Sequence, residues 1–359
     1  MKSILLISHG FYEYDGRLRE LIKIFNDEGD LVAFTRGQKE QFANHIVYRS
    51  KGYIGFIKES IKLAKELKGI DILVLDNRKA TIPGLIIKAV CKPTIVIQDC
   101  RELYVSKDVS HFAGKVGCFF EKKMIKRSDV IIVANEERAK IMVDMYDLQA
   151  QPLVYENLRK LEYIDKDDFH KKLGYLIKDD EYRLISTSGC SISRTNDLLV
   201  KNLDKIDYKV RLFLVGSSSD EDEEEIKNII KEKNICNVDI IETLNQSELK
   251  WLISNSHIGI VNYNQNDLNN KYCASGKIYE FLYEGLPVVT TTNPPLLNLC
   301  SEFAIGASSD DYYDAINDVI KNYDSYKNRV MTFAKEHTVE DNNKRIRDCV
   351  KERISAIVK

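Results

Sequence analysis

The chain has 359 residues, 44% hydrophobic and 30% charged, ample for two domains of ordinary size that each bury a core. A formal net charge of −2 supplies no global cationic field, which argues against nucleic acid as the main partner. Eight cysteines at 91, 100, 118, 190, 236, 273, 300 and 349 form no CxxC pair, so zinc and thioredoxin-like chemistry lack support and a reducing cytosol is expected.

The opening MKSILLIS reads as a first buried strand, too short for a leader's apolar region. No apolar run approaches the ~20 residues of a membrane span. A strand is predicted over 3–8, a Gly-bearing loop over 9–16 and a helix over 17–29 with Leu18, Leu21, Ile22 and Phe25 on one face. A second strand follows over 31–36. This is the opening of a doubly wound parallel sheet, whose ligands lie at the carboxyl ends of the strands. His9, Gly10, Asp15, Gly16 and Arg17 stand at that rim, and Asp15 is equally placed to cap the helix. The loop lacks GxGxxG, so dinucleotide binding is not supported.

Strands are expected over 45–50 and 71–77 and within 91–103, with helices over 54–69 and 82–91. Asp99, Arg101 and Glu102 follow the last of these strands, again at the rim. The stretch 111–127 carries an apolar stripe (Phe112, Val116, Phe119, Phe120, Met124, Ile125) beside Lys115, Lys122, Lys123, Lys126 and Arg127. It reads either as a core helix with a solvated charged face or as a basic amphipathic helix for an anionic membrane surface. Strand 128–133 closes the first half, and the linker is placed over 161–182.

The second half begins with a strand over 183–189 and the loop 188–197, which holds Gly189, several hydroxyls and Arg194. Backbone amides and a guanidinium fork could seat a diphosphate there, although a solvated loop arginine fits the same residues. DEDEEE within 209–235 reads as a helix start favoured by the macrodipole rather than a metal cage. Strand, helix and strand then repeat over 237–264. The stretch KIYEFLYEGLPVVTTT (277–292) has Ile278, Phe281 and Leu282 at i, i+3 and i+4, then Gly285 as a stop, Pro287, and a β-branched strand. Small residues at 273–276 suit a helix N-terminus whose amides could hold an anion beside Lys277, with Glu280 one turn inside as a ribose acceptor. A last helix over 336–358 carries Ile346, Val350, Ile354 and Ile357.

The 277–292 stretch resembles the sugar-nucleotide signature of GT-B glycosyltransferases, the retaining glycosyltransferase family 4, or glycosyl transferases group 1. Loop 188–197 resembles that family's G-x-(I/L)-x-x-x-(R/K) loop, and 99–102 its D-x-R-E segment. YDGRLRELIKIFNDEGDLVAF resembles its opening, and PLVYENLRK its V-x-x-N-G exit, with Leu158 in place of Gly. The resemblance implies an α/β chain of two Rossmann-like doubly wound domains facing a cleft. Residues 1–165 would form the acceptor side, 166–335 the nucleotide-sugar side, and 336–359 a helix returning to the first. It implies transfer of a sugar from a nucleoside diphosphate sugar, UDP rather than GDP, to a glycan or lipid-linked hydroxyl acceptor. The transfer would be retaining, need neither cofactor nor metal, and serve bacterial surface polysaccharide or glycoconjugate synthesis. The protein would be cytoplasmic, touching the inner membrane peripherally through 111–127. Arg194, Lys277 and Asp99 are implied as catalytic. Gly189, Ser275, Gly276, Ile278, Glu280, Leu244 and Tyr272 would hold the donor, Tyr272 standing where the family has the first of two acids. His9, Gly10, Asp15, Gly16, Arg17 and Arg101 would line the acceptor side. An epimerase of the same fold and an inactive sugar-nucleotide binder remain as alternatives.

Overall fold

Two all-parallel sheets form, one in each of two compact units: Met1–Asn157 with Glu340–Lys359, and Leu158–Val339. The computed structural model describes residues 2–49, 52–164 and 168–358. In the first unit the strands are β1 (Lys2–Phe11), β2 (Gly29–Arg36), β3 (His45–Val47), β4 (Ile72–Asp76), β5 (Ile95–Cys100), β6 (Val130–Val133) and β7 (Leu153–Val154). They lie in the order β3-β2-β1-β4-β5-β6-β7. The second unit has β8 (Tyr182–Ser186), β9 (Val210–Val215), β10 (Val238–Ile241), β11 (Ile258–Val261), β12 (Val288–Thr290) and β13 (Gly306–Ser308), ordered β10-β9-β8-β11-β12-β13. Each order reverses beside its first strand, at β1/β4 and at β8/β11, and such a switch point opens a crevice at the carboxyl ends.

The central strands read as unbroken aliphatic runs because helices cover both faces. Ile4, Leu5, Leu6 and Ile7 are fully buried, and the two faces of each sheet carry separate apolar clusters. The terminal helix Val339–Val358 buries Ile346, Val350 and Ile354 in the first unit's core.

Several boundaries differ from the sequence reading. β1 runs on through a register shift after Ile7 to pair Phe11 with Arg36, so His9 and Gly10 belong to the strand and the loop shrinks to 12–15. The segment read as a linker, of which 165–167 lie outside the described residues, is part of the second unit. Leu161, Phe169, Leu173 and Leu176 are buried there, and Phe169–Leu173 is helical. The units divide after Asn157 and after Val339, rather than at 165 and 335.

The signature helix spans Gly276–Tyr283 and buries Ile278, Phe281 and Leu282. Gly285 has φ of 80°. Its N–H donates to Leu282 O at 3.0 Å, and Leu286 N–H donates to Phe281 O at 3.1 Å. This paired bonding satisfies the last carbonyls and aims the chain into β12. Gly285→Ala forces a side chain into left-handed backbone and is expected to cost about 1 kcal/mol. A lowered urea midpoint at unchanged slope checks this.

Candidate functional site

In the second unit the loop after β8 is shaped by one glycine. Gly189 has φ of 57°, and a Cβ there would fall 2.5 Å from Ser218 Oγ and 2.8 Å from Gly216 O. Only glycine lets this loop close on the loop after β9, where Gly189 N–H donates to Val215 O at 2.9 Å. Asn196, fully buried, pins the other end. Its Nδ2 donates to Gly189 O at 2.7 Å, and its Oδ1 accepts from Asn262 Nδ2 at 2.8 Å. Tyr312 OH accepts from Asn262 at 3.1 Å and lies 2.7 Å from Thr195 Oγ1.

Arg194 projects from this fixed loop. Its guanidinium carbon lies 3.8 Å above the Tyr263 ring, while Asn264 Nδ2 donates to Ser193 O at 2.7 Å. Lys277, from the signature helix, donates through Nζ to Thr187 O at 2.6 Å. Burial pulls its ammonium down to about 8, and the nearby Arg194 charge adds to that, against Glu280. Arg194, Lys277 and Glu280 therefore lie within electrostatic reach of one another. Glu280 is 4% exposed, and its Oε1 sits 3.0 Å from Arg159 Nε. Burial raises its carboxyl, opposed by Arg159 and Lys277.

Three polar atoms here are buried without hydrogen-bond partners among the described residues: Arg194 Nη1, Thr187 Oγ1 and Ser275 Oγ. Each such atom costs about 1–3 kcal/mol. Ser275 is the N-cap of helix Gly276–Tyr283, yet its hydroxyl makes no cap bond. The amides of Gly276, Lys277 and Ile278 fall in the helix's first turn, where no intrahelical acceptor exists. Ile278 can contribute only that amide, since its side chain is core. The arrangement is a set of donors with too few acceptors. Leu244, half-buried after β10, packs on the second unit's core, and Tyr272 ends the short helix Leu268–Lys271. Helix Asp220–Glu232 begins beside the Gly189 loop, and Asp222 Oδ2 accepts from Ile192 N–H at 3.2 Å. Sequence reasoning missed Thr187, Tyr263, Asn196 and Asn262. A hydroxyl at the end of β8 was the only local signal.

In the first unit, the expected rim residues form one ionic network. Arg17 grips Asp99 with Nε–Oδ2 at 2.9 Å and Nη2–Oδ1 at 2.6 Å. Its Nη1 donates to Tyr155 O at 2.6 Å and Asn157 Oδ1 at 2.7 Å. Burial would raise the Asp99 carboxyl, but Arg17, then Arg101, hold it below the usual range. Asp99, expected as a catalytic group, is fully buried with both oxygens engaged by Arg17, which it anchors. Arg101 Nη1 lies 2.5 Å from Asp15 Oδ2, and its Nε lies 2.6 Å from Asp76 Oδ1. That second pair is misaligned for a hydrogen bond, so its attraction is Coulombic. Burial pushes Asp76 up to about 6, against Arg101. Ser8 Oγ donates to Asp76 Oδ2. Asp15 does two jobs, since its Oδ1 also caps the helix that starts at Gly16, accepting from Leu18 N–H at 2.9 Å. Gly10 is packed tightly: a Cβ would come within 3.0 Å of both Asp15 Oδ2 and Ser8 Oγ.

The helix Phe112–Ile125 turns Gly114, Cys118, Glu121, Met124 and Ile125 inward. Phe112 and Phe119 are 81% and 60% exposed, and Lys115, Lys122 and Lys123 are exposed with them. The single apolar stripe read from sequence is thus split between core and solvent. Among the described residues there is no helix long and apolar enough to cross a membrane and no group of three or more potential metal ligands.

The depressed Lys277 ammonium fixes a sign. Between about 8 and the ordinary 10.5 the unfolded chain binds more protons, so stability rises with pH across that window and is lost as pH falls through about 8. Lys277→Met should therefore stabilise the chain at pH 7 by roughly 1–3 kcal/mol. That gain should shrink as pH climbs through the window, as read by urea unfolding at several pH values.

No family model and no curated protein matches the chain. Solved structures do. Sucrose-phosphate synthase from Thermosynechococcus elongatus superposes with a TM-score of 0.71 at 15% identity, covering 99% of this chain and 100% of that one. Anabaena Alr3699/HepE in complex with UDP and glucose gives 0.74 at 14% identity, covering 98% and 100%. WaaG, a glycosyltransferase involved in lipopolysaccharide biosynthesis, gives 0.67 at 12% identity, covering 96% and 99%. With two doubly wound parallel sheets, the chain has the GT-B glycosyltransferase fold.

Proposed function

We propose that the protein is a glycosyltransferase that moves a sugar from a nucleoside diphosphate sugar to a hydroxyl acceptor. The observation that carries this is the set of buried side-chain atoms around Lys277 without hydrogen-bond partners among the described residues, Arg194 Nη1, Thr187 Oγ1 and Ser275 Oγ, beside the first-turn amides of the signature helix. A diphosphate supplies the acceptors they lack. In the reaction the bond from the anomeric carbon to the β-phosphate oxygen breaks, a bond to the acceptor oxygen forms, and the acceptor's hydroxyl proton leaves with the diphosphate. Negative charge grows on the departing diphosphate. Arg194, Lys277 and the helix start lie where that charge develops, which lowers the barrier by electrostatic preorganisation. These cations provide the positive charge without a metal ion, and the configuration of the sugar is retained. Glu280 takes the ribose hydroxyls in exchange for Arg159, Leu244 lies toward the base, and Tyr272 toward the sugar. UDP is the preferred nucleotide, a reading supported by the neighbour solved with UDP and glucose.

The acceptor is a glycan or lipid-linked glycan of bacterial surface polysaccharide or glycoconjugate synthesis, met at the cytoplasmic face of the membrane. The exposed Phe112 and Phe119 with their surrounding lysines support a peripheral contact there.

In a panel of nucleotides and nucleotide sugars, a donor at ~100 times its dissociation constant should add about 2.7 kcal/mol of stability. Arg194→Ala and Lys277→Ala should each lower transfer by roughly 10²-fold or more while the chain stays folded. Full transfer by either variant would reject the reading. Phe112→Ser with Phe119→Ser should weaken sedimentation with anionic vesicles and leave the nucleotide response intact.

A further inference from the structure

The carboxyl ends of four neighbouring strands, β3-β2-β1-β4, gather a second set of cations in the first unit. His9 lies near the end of β1. Arg36 ends β2, paired with Phe11. Tyr48 follows β3, and Lys79 lies in the one-turn helix Arg78–Ala80 after β4. His9 Nε2 and Tyr48 OH are 3.1 Å apart. The rings of Tyr48, Tyr53 and Phe56 surround the imidazole at 5.7, 5.8 and 5.0 Å between centroids. Tyr53 OH donates to Lys79 O at 2.9 Å, so this aromatic wall also fixes the turn that carries Lys79.

The Arg36 guanidinium carbon lies 4.0 Å over the Phe11 ring. Neither Arg36 nor Lys79 has a carboxylate at ion-pair distance among the described residues. Two carboxylates of this rim are engaged with backbone amides: Glu13 accepts from Gln38 N–H at 2.8 Å, and Glu59 from Arg49 N–H at 3.2 Å. Burial, then Lys79 and Arg36, hold the His9 imidazole down to about 4. At neutral pH it is an uncharged hydrogen-bonding group within electrostatic reach of both cations.

Like charges converging on one rim repel, and an anion between them removes the repulsion. A phosphoryl group matches an arginine fork and a lysine point charge together. The tyrosine wall offers the flat, partly apolar face that the rest of a carbohydrate needs. We propose that this rim is the anion subsite for the acceptor, which carries a phosphoryl group bound by Arg36 and Lys79 with its carbon skeleton against Tyr48 and Tyr53. The word acceptor rests on the transfer reading above, whereas the anion site stands on the first unit alone.

The test follows the His9 ring resonances in the full chain, assigned with His9→Gln, during titration with glucose 6-phosphate, inorganic phosphate and glucose. Vesicles containing phosphatidic acid form a separate sedimentation arm. Glucose 6-phosphate should shift His9 saturably and glucose should not. Arg36→Gln with Lys79→Gln should weaken that binding about tenfold or more. An unchanged melting point without ligand shows that the double variant is folded. Vesicle capture that the double variant loses, without any glucose 6-phosphate response, supports the same subsite with a lipid phosphate as its source. An unmoved His9 with every phosphate probe and no such loss of capture overturns the proposal, as does an equal response in the double variant. The UDP thermal shift, measured alongside, separates the two readings. A normal UDP shift with no anion response at His9 sinks the subsite alone, and the reverse pattern sinks the transfer reading and leaves the subsite standing.

Discussion

The second unit depends on one costly contact: a lysine ammonium drawn out of water and set against the Thr187 carbonyl. A neutral acceptor returns only part of the hydration that the charge gives up. Arg194 makes the site less favourable still, and Glu280, already shared with Arg159, compensates only in part. The folded state tolerates the arrangement because rigid parts surround it. Gly189 locks one loop against the next strand's turn, Asn196 and Asn262 bolt the loop from below, and a hydrogen-bonded glycine stop fixes the far end of the helix. Local free energy given up in this way is typical of sites prepared for a ligand of opposite charge.

The first unit handles charge in the opposite way. Its rim carboxylates Asp15, Asp76 and Asp99 are closed onto Arg17 and Arg101, with Ser8, Tyr155 and Asn157 completing the set. A network so internally engaged gives geometry rather than reactivity. It fixes the start of the first helix and the exit of the chain at Asn157, and it leaves the neighbouring rim of His9, Arg36 and Lys79 as the part with charge to spare. The two sheets thus share a topology and differ in what their carboxyl edges can offer.

Much of this was legible in the sequence, and the reasons are local. Aliphatic runs such as Ile4–Ile7 become strands because both faces are covered, and the i, i+3, i+4 spacing of Ile278, Phe281 and Leu282 reports a buried helix face. Gly285 was readable as a stop because few other residues adopt its backbone angles without strain. What could not be read are pairings set by the fold. Arg17 meets Asp99 across 82 positions, and Asn196 meets Asn262 across 66. Asp15 looked like either a cap or a rim acid and is both, because its two oxygens point to different partners. The charged segment 161–182 looked like a tether because its buried residues are too widely spaced for any one period to reveal them.

The last helix belongs to the unit that the chain began with. Residues 158–339 therefore form an uninterrupted cassette, while the other unit is assembled from two separated stretches of polypeptide. A ribosome finishes the cassette before it delivers Ile346, Val350 and Ile354 to the waiting sheet, so that sheet's apolar face stays incomplete until the last helix has emerged. A nascent or prematurely terminated chain would carry a finished second unit and a first unit with an open, adhesive surface.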